Sequence, residues 1–178
     1  MAAPPVRILI AYHSRTGNTE KMAAAVREGA ASVTGVEVIL RKVADVTAAD
    51  IVKSDGIILG TPVEWGSLSV ESKGFLDRVG EALGKAGPTF GEGRTAAVFC
   101  TAGGPSNGQD ITRMSAIAAL LAMRFVIVGG VNEEGFGTLG AQASTAGKPP
   151  GINDRDRADA RRLGERFARI TRQLRAAP

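Results

Sequence analysis

Cysteine, histidine, tryptophan and tyrosine each occur once in the 178 residues, and aromatic side chains of all kinds make up only 4%. The single cysteine, Cys100, excludes an intramolecular disulfide and fits a reducing compartment. The single histidine, His13, leaves no cluster of imidazole and thiolate ligands for a metal. No apolar run approaches the roughly 20 residues that span a bilayer. The first residues, "MAAPPVRILIAYHS", lack a charged segment followed by a long apolar core, so they do not read as a signal peptide. Together these absences point to a cytoplasmic protein with no membrane partner.

One sign of charge is in modest excess. Lys and Arg number 22 against 18 Asp and Glu, for a net charge of +4. Arginine concentrates near the end, in "RDRADARRLGERFARITRQLR". The interleaved aromatics and motifs of a nucleic-acid binder are missing, so the stretch reads as a solvated helix face and no nucleic-acid partner is expected.

What is present is an alternation. Short apolar runs at 6–12, 36–43, 56–61, 94–101 and 125–130 read as strands. Helical periodicity lies between and after them. Met22, Val26, Ala30 and Val33 mark a helix over 18–34, and "TAADIVKS" a short one. Leu68, Phe75, Leu76, Val79 and Leu83 mark the next face. Ile111, Met114, Ala118 and Leu121 mark another, and Ala160, Leu163, Phe167, Ile170 and Leu174 the closing one. Strands alternating with helices predict an α/β fold with a parallel sheet covered on both faces. Ligands in such folds sit at the carboxyl ends of the strands. Two Gly-rich stretches interrupt the alternation, at 84–93 and 130–153; the second is long enough to be functional or disordered.

Three loops follow strands at that edge. The first, "SRTGNT" (14–19), joins a strand to a helix start, where unpaired N–H groups and the helix dipole favour an anion. Ser14, Thr16 and Thr19 add hydroxyl donors, Gly17 permits a tight turn, and Asn18 can cap. The chemistry suits a phosphate monoester. Neither the Walker spacing nor G-x-G-x-x-G is present, and "GKPP" (147–150) puts Pro149 and Pro150 after its lysine. The second loop (60–78) carries Trp65 beside Gly66, a stacking platform for a planar heterocycle. The third, "TAGGPSNGQ" (101–109), is small enough to admit a flat ligand against backbone N–H groups. Cys100 reads as a buried, inert thiol, and Tyr12 as strand-end packing.

These residues resemble the flavodoxin-like family. "SRTGNT" closely matches its [ST]-x-T-G-N-T phosphate loop. The second loop is similar to the pattern of the NAD(P)H:quinone oxidoreductase branch, the tryptophan-repressor-binding-protein-like flavoproteins. Here that pattern reads Gly60, Thr61, Pro62, Trp65, Gly66, Lys73, Phe75, Leu76 and Asp77. The resemblance covers nearly the whole chain. It implies a three-layer fold over residues 1–178, with a five-stranded parallel sheet in the order 2-1-3-4-5. It also implies FMN as cofactor, bound through Ser14, Arg15, Thr16, Gly17, Asn18 and Thr19; through Thr61, Pro62, Val63, Glu64, Trp65 and Gly66; and through Thr101, Ala102, Gly103, Gly104 and Gly108. NAD(P)H is the implied electron donor, a quinone-like molecule the acceptor, and a homodimer or homotetramer the assembly. No side chain is assigned as catalytic.

The chain departs from that branch in three places. The stretch between strands two and three is short, Glu64 stands where an Arg is usual, and Ala122 and Met123 stand where a His pair is common. A flavodoxin-type electron carrier and a flavin-binding interaction module are the rival readings. Electron carriers of this kind are usually strongly acidic, which a net charge of +4 does not match.

Overall fold

The computed structural model describes residues 4–104, 108–146 and 151–176. Strands β1 (Val6–Tyr12), β2 (Val36–Lys42), β3 (Gly56–Glu64) and β5 (Thr95–Ala102) form the body of the sheet, with a short β6 (Val126–Ile127) at one edge. The strand order is β2-β1-β3-β5-β6, all parallel, which is the expected 2-1-3-4-5 order.

Helices cover both faces because the central strands are apolar on both. Ile8 and Ile10 of β1 face a cluster with Met22, Val26, Leu163 and Phe167 from α1 (Asn18–Ala31) and α5 (Asp154–Ala176). Leu9 and Ala11 point the other way. They meet Ile51 of α2 (Ala48–Lys53), Phe75 and Val79 of α3 (Val70–Ala86) and Leu120 of α4 (Gln109–Ala122). Alternation along one strand thus builds two cores, and each fully buried large side chain contributes about 1.5–3 kcal/mol. The arginines of α5 are largely engaged by carboxylates: Arg161 by Glu28, Arg162 by Asp159, Arg169 by Glu165 and Arg175 by Asp55.

Four expectations are corrected. Strand five is not a continuous run over 125–130. It is split into β6, which pairs with Thr95–Ala96, and β9 (Gln142–Ser144), which pairs in parallel with Cys100–Ala102. The chain between them leaves the sheet as a hairpin of β7 (Gly130–Val131) and β8 (Gly137–Thr138). The Gly-rich stretch at 130–153 is therefore largely an insertion within the fifth strand position, and its residues 147–150, including the "GKPP" sequence, lie outside the described residues. Next, β3 runs on to Glu64 and turns back antiparallel as β4 (Ser67–Leu68), so Leu68 lies in a hairpin and not on α3. At its other end α3 continues to Ala86, into the first of the Gly-rich stretches.

The fourth correction is the phase of α4. Ile111, Met114, Ala118 and Leu121 face solvent; Thr112, Arg113, Ala116 and Leu120 are buried. The helix carries apolar residues on more than one face. Its orientation is set by what Arg113 and Gln109 must reach. Arg113 donates to the Gly140 carbonyl and the Gln142 side chain, and Gln109 to Ser144 at 3.0 Å, tying α4 to the inserted segment.

Candidate functional site

At the carboxyl edge of β1, β3 and β5 the three loops meet. A cavity of about 330 Å³ is lined by Arg15, Thr16, Asn18 and Thr19, by Pro62, Val63 and Glu64, and by Thr101, Ala102 and Gly103. A cleft of about 370 Å³ adjoins it, sharing Val63 and Gly103 and adding Trp65 and Gly66. A buried hydroxyl pair, Thr19 Oγ1 to Thr101 Oγ1 at 2.8 Å, ties the start of α1 to the end of β5.

Helix capping separates this edge from the rest of the fold. Helix α2 is closed by a capping box of Thr47 and Asp50, α3 by the Ser69 hydroxyl, and α5 by reciprocal bonds between Asn153 and Asp156. Helices α1 and α4 instead begin at left-handed glycines, Gly17 and Gly108, with no side-chain cap. Their first-turn N–H groups stay available to an anion at the site. Ser14 Oγ, in the loop that leads into α1, is buried and without a hydrogen-bond partner among the described residues, although Ser14 is not one of the residues that line the cavity. A buried hydroxyl left unpaired is uncommon and calls for a partner. An uncapped helix start with an orphan hydroxyl matches the donor set that a phosphate monoester requires.

The second loop is a two-residue hairpin turn. Glu64 pairs with Ser67 across it, and its central residues, Trp65 and Gly66, have φ of 52° and 77°. This is the geometry of a type I′ turn, which suits the twist of the flanking strands but is unfavourable for a bulky side chain. The turn holds the Trp65 indole fully in solvent beside the cleft. Gly108 packs against this turn: a Cβ there would come within 2.8 Å of Gly66 Cα. The second and third loops are thus in backbone contact.

The remaining candidate residues sit as follows. Thr61 is fully buried, with its hydroxyl donated to the Pro62 carbonyl at 2.9 Å, so it shapes the loop and does not line the cavity. Asn18 donates to Thr16 Oγ1 at 3.2 Å. Arg15 reaches across to Glu64 at 3.5 Å, joining the first and second loops by an ion pair. Gly104 ends the described part of the third loop, and Pro105, Ser106 and Asn107 lie outside the described residues.

One lining residue escaped the sequence reading. Thr145 reaches the cavity because β9 returns to the sheet beside β5, and both its N–H and its hydroxyl bond to the Ala102 carbonyl, at 2.8 and 3.0 Å. The only signal was the small, polar "STAG" run (144–147) after an apolar segment, and nothing local places it next to residue 102.

Burial suppresses the ionisation of two groups near this edge. Burial pushes the Cys100 thiol up to about 12, as expected for an inert thiol. Burial and the bond to Glu20 push Tyr12 up to about 12 as well. His13 Nε2 lies 3.5 Å from Glu71, and no group of three metal-type ligands occurs among the described residues. No helix among them is long and apolar enough to cross a membrane.

Residues 10–118 match the family described as Flavodoxin. The chain belongs to the flavodoxin family. Its similarity extends to a flavodoxin of Aquifex aeolicus (strain VF5), 36% identical over 165 residues, covering 91% of this chain and 85% of that protein. This flavodoxin-family chain is also 30% identical over 200 residues to an NAD(P)H dehydrogenase (quinone) of Acidithiobacillus ferrooxidans (strain ATCC 53993 / BNL-5-31), covering 94% and 98%. That relative matches the branch which the second loop resembles. Among solved structures, a WrbA-like flavodoxin from Agrobacterium tumefaciens aligns with a TM-score of 0.76 at 22% identity, over 95% of this chain and 99% of that one. At that identity the likeness concerns the flavodoxin fold.

Proposed function

We propose that this chain is an FMN-dependent oxidoreductase that takes electrons from NAD(P)H and delivers them to a quinone-like acceptor. The observation that carries the cofactor reading is the uncapped start of α1 at a cavity walled by all three loops, with the orphan Ser14 hydroxyl in the loop that leads into that helix. Residues 14–19 and the first turn of α1 bind the phosphate. Residues 62–66, with 101–104 and Gly108, flank the flavin ring, and the buried Thr61 shapes the loop that carries the first of these. Bound FMN supplies the redox chemistry, so that NAD(P)H and one solvent proton together reduce a quinone to its hydroquinone. The protein's own contribution is position and charge. Trp65 offers an exposed aromatic face at the cleft, and Arg15 holds the Glu64 carboxylate at the rim.

The dehydrogenase reading draws on relatives that carry that name. The electron-carrier reading draws on the Aquifex flavodoxin, which shares more identity. Rapid mixing of the FMN-loaded protein with NADH or NADPH under anaerobic conditions separates them. Fast bleaching of the flavin absorbance, followed by quinone turnover, is the result expected of the oxidoreductase. FMN binding without reduction by either nicotinamide would favour the carrier, and failure to bind FMN at all would overturn both.

Glu64 tunes the site. Its carboxylate is 23% exposed and disfavours added negative charge nearby, an effect damped by Arg15. Glu64→Gln is expected to raise the two-electron potential of the bound flavin by about 20 mV, the equivalent of roughly 1 kcal/mol of lost repulsion. A dye-equilibration titration that finds the potential unchanged or lower would contradict the role. A homo-oligomer is the corresponding proposal for assembly. It is supported by the apolar side chains that α4 leaves in solvent, Ile111, Met114 and Leu121, and light scattering on the purified protein tests it.

A further inference from the structure

Helices α1, α2 and α5 each carry a carboxylate as their third residue: Glu20, Asp50 and Asp156. An acidic side chain at that position can reach back and accept the N–H of the capping residue. In α2 and α5 it does so. Asp50 accepts the Thr47 N–H at 2.9 Å, and Asp156 accepts the Asn153 N–H at 3.0 Å. Both of these helix starts thereby carry their own negative charge and keep one N–H group fewer for an outside anion.

Glu20 behaves differently. Its Oε1 accepts the Tyr12 hydroxyl at 2.7 Å. Tyr12 ends β1, is 5% exposed, and packs in the cluster that holds Met22 and Val26 of α1, so its hydroxyl is a fixed donor. The phenol, pushed up to about 12, keeps its proton throughout the neutral range. The strand thus ties down the carboxylate, and no hydrogen bond joins Glu20 to the Gly17 N–H among the described residues. Of the three helix starts, this is the one whose first residues, Asn18 and Thr19, line the cavity at the three loops.

We propose that Tyr12 is a positioning residue for the phosphate site. By holding the Glu20 carboxylate it keeps the start of α1 open to an anion, and so sets the preference of the site for a phosphorylated flavin over an unphosphorylated one. This role rests on the reading of residues 14–19 as the FMN phosphate loop. Released from Tyr12, the Glu20 carboxylate turns to the start of its own helix, as the carboxylates of α2 and α5 do. There it takes up an N–H group that the phosphate would use and sets a like charge beside it. Riboflavin, which has no phosphate, is indifferent to both effects.

Tyr12→Phe keeps the ring and removes only the hydroxyl. Its affinity for FMN is expected to fall roughly five- to tenfold, the effect of a like charge brought nearer the phosphate in a partly solvated site, while its affinity for riboflavin stays as in the parent. Disturbed packing at the end of β1 would weaken both flavins alike. The double variant Tyr12→Phe/Glu20→Gln is expected to bind FMN at least as tightly as the parent, because the charge that the hydroxyl held in place is gone.

Flavin fluorescence quenching on the full chain gives both flavin affinities. Titration of the ¹⁵N-labelled proteins with orthophosphate, read at the amides of residues 14–19, repeats the comparison without the ring. The expected order is the same for FMN and orthophosphate: weaker in Tyr12→Phe, restored in the double variant. Equal FMN affinity in the parent and Tyr12→Phe proteins, an equal loss for riboflavin, or a loss that persists in the double variant would overturn the role of Tyr12 and leave the FMN reading standing. A parent protein that binds neither FMN nor orthophosphate at residues 14–19 would overturn both.

Discussion

Ser14→Ala is expected to weaken FMN binding by roughly 10- to 100-fold, the loss of one charge-assisted hydrogen bond worth about 1.5–3 kcal/mol. The same change is expected to leave the FMN-free protein as stable as the parent or slightly more so. The two effects have opposite signs because Ser14 Oγ is buried without a partner among the described residues. Removing it relieves a desolvation cost in the free form and deletes a donor in the complex. Thr19→Val is the contrasting variant. The Thr19 hydroxyl already bonds to Thr101 inside the protein, so its loss costs stability before any ligand is added. Flavin fluorescence quenching gives the affinity, and thermal unfolding without FMN gives the stability. An Ser14→Ala protein that binds FMN as tightly as the parent would remove Ser14 from the phosphate site.

Gly164→Ala is expected to destabilise the fold by at least about 2 kcal/mol, a fall in Tm of roughly 5–8 °C. Helices α1 and α5 approach each other backbone to backbone at Gly29 and Gly164. A Cβ on Gly164 would overlap the Val26 carbonyl oxygen, and one on Gly29 would overlap the Arg161 carbonyl oxygen. Both obstacles are main chain, so no rotamer change relieves them and the helices must separate. Separation loosens the packing of Leu163 and Phe167, fully buried between α5 and the sheet. The gain in helix propensity from Gly to Ala, up to about 1 kcal/mol, offsets only part of this. Gly74→Ala isolates that gain. It lies exposed on α3 with nothing within 4 Å of its would-be Cβ, and it is expected to stabilise slightly. Equal melting temperatures for the Gly164→Ala and Gly74→Ala proteins would show that the close approach carries no stability.

Much of the fold was legible because the signals were local and one-sided. Strands β1, β3 and β5 are apolar on successive residues, as strands buried on both faces must be. Helix α5 is polar except along one stripe, so Ala160, Leu163 and Phe167 could only face inward. Helix α4 was misread for the opposite reason. It has apolar residues on several faces, and a partner far along the chain, the inserted segment, chooses which face is buried. The site was legible where a motif and a helix start coincide, at 14–19. It was not legible at Thr145, whose position depends on the parallel pairing of β9 with β5.

By itself, the order of apolar runs and turns determined the α/β class with its parallel sheet, and the segment "SRTGNT" as an anion loop; the strand order came from the resemblance to the flavodoxin-like family. The class and the loop follow from burial and backbone chemistry within short windows of chain. Only the tertiary structure decided that strand five is interrupted, that Trp65 stands on a hairpin turn, and that Arg113 is buried against the inserted segment. Each of those depends on which distant backbone offers the hydrogen bonds or the space. Residues dozens of positions apart settle that competition, and neither spacing nor composition records its outcome.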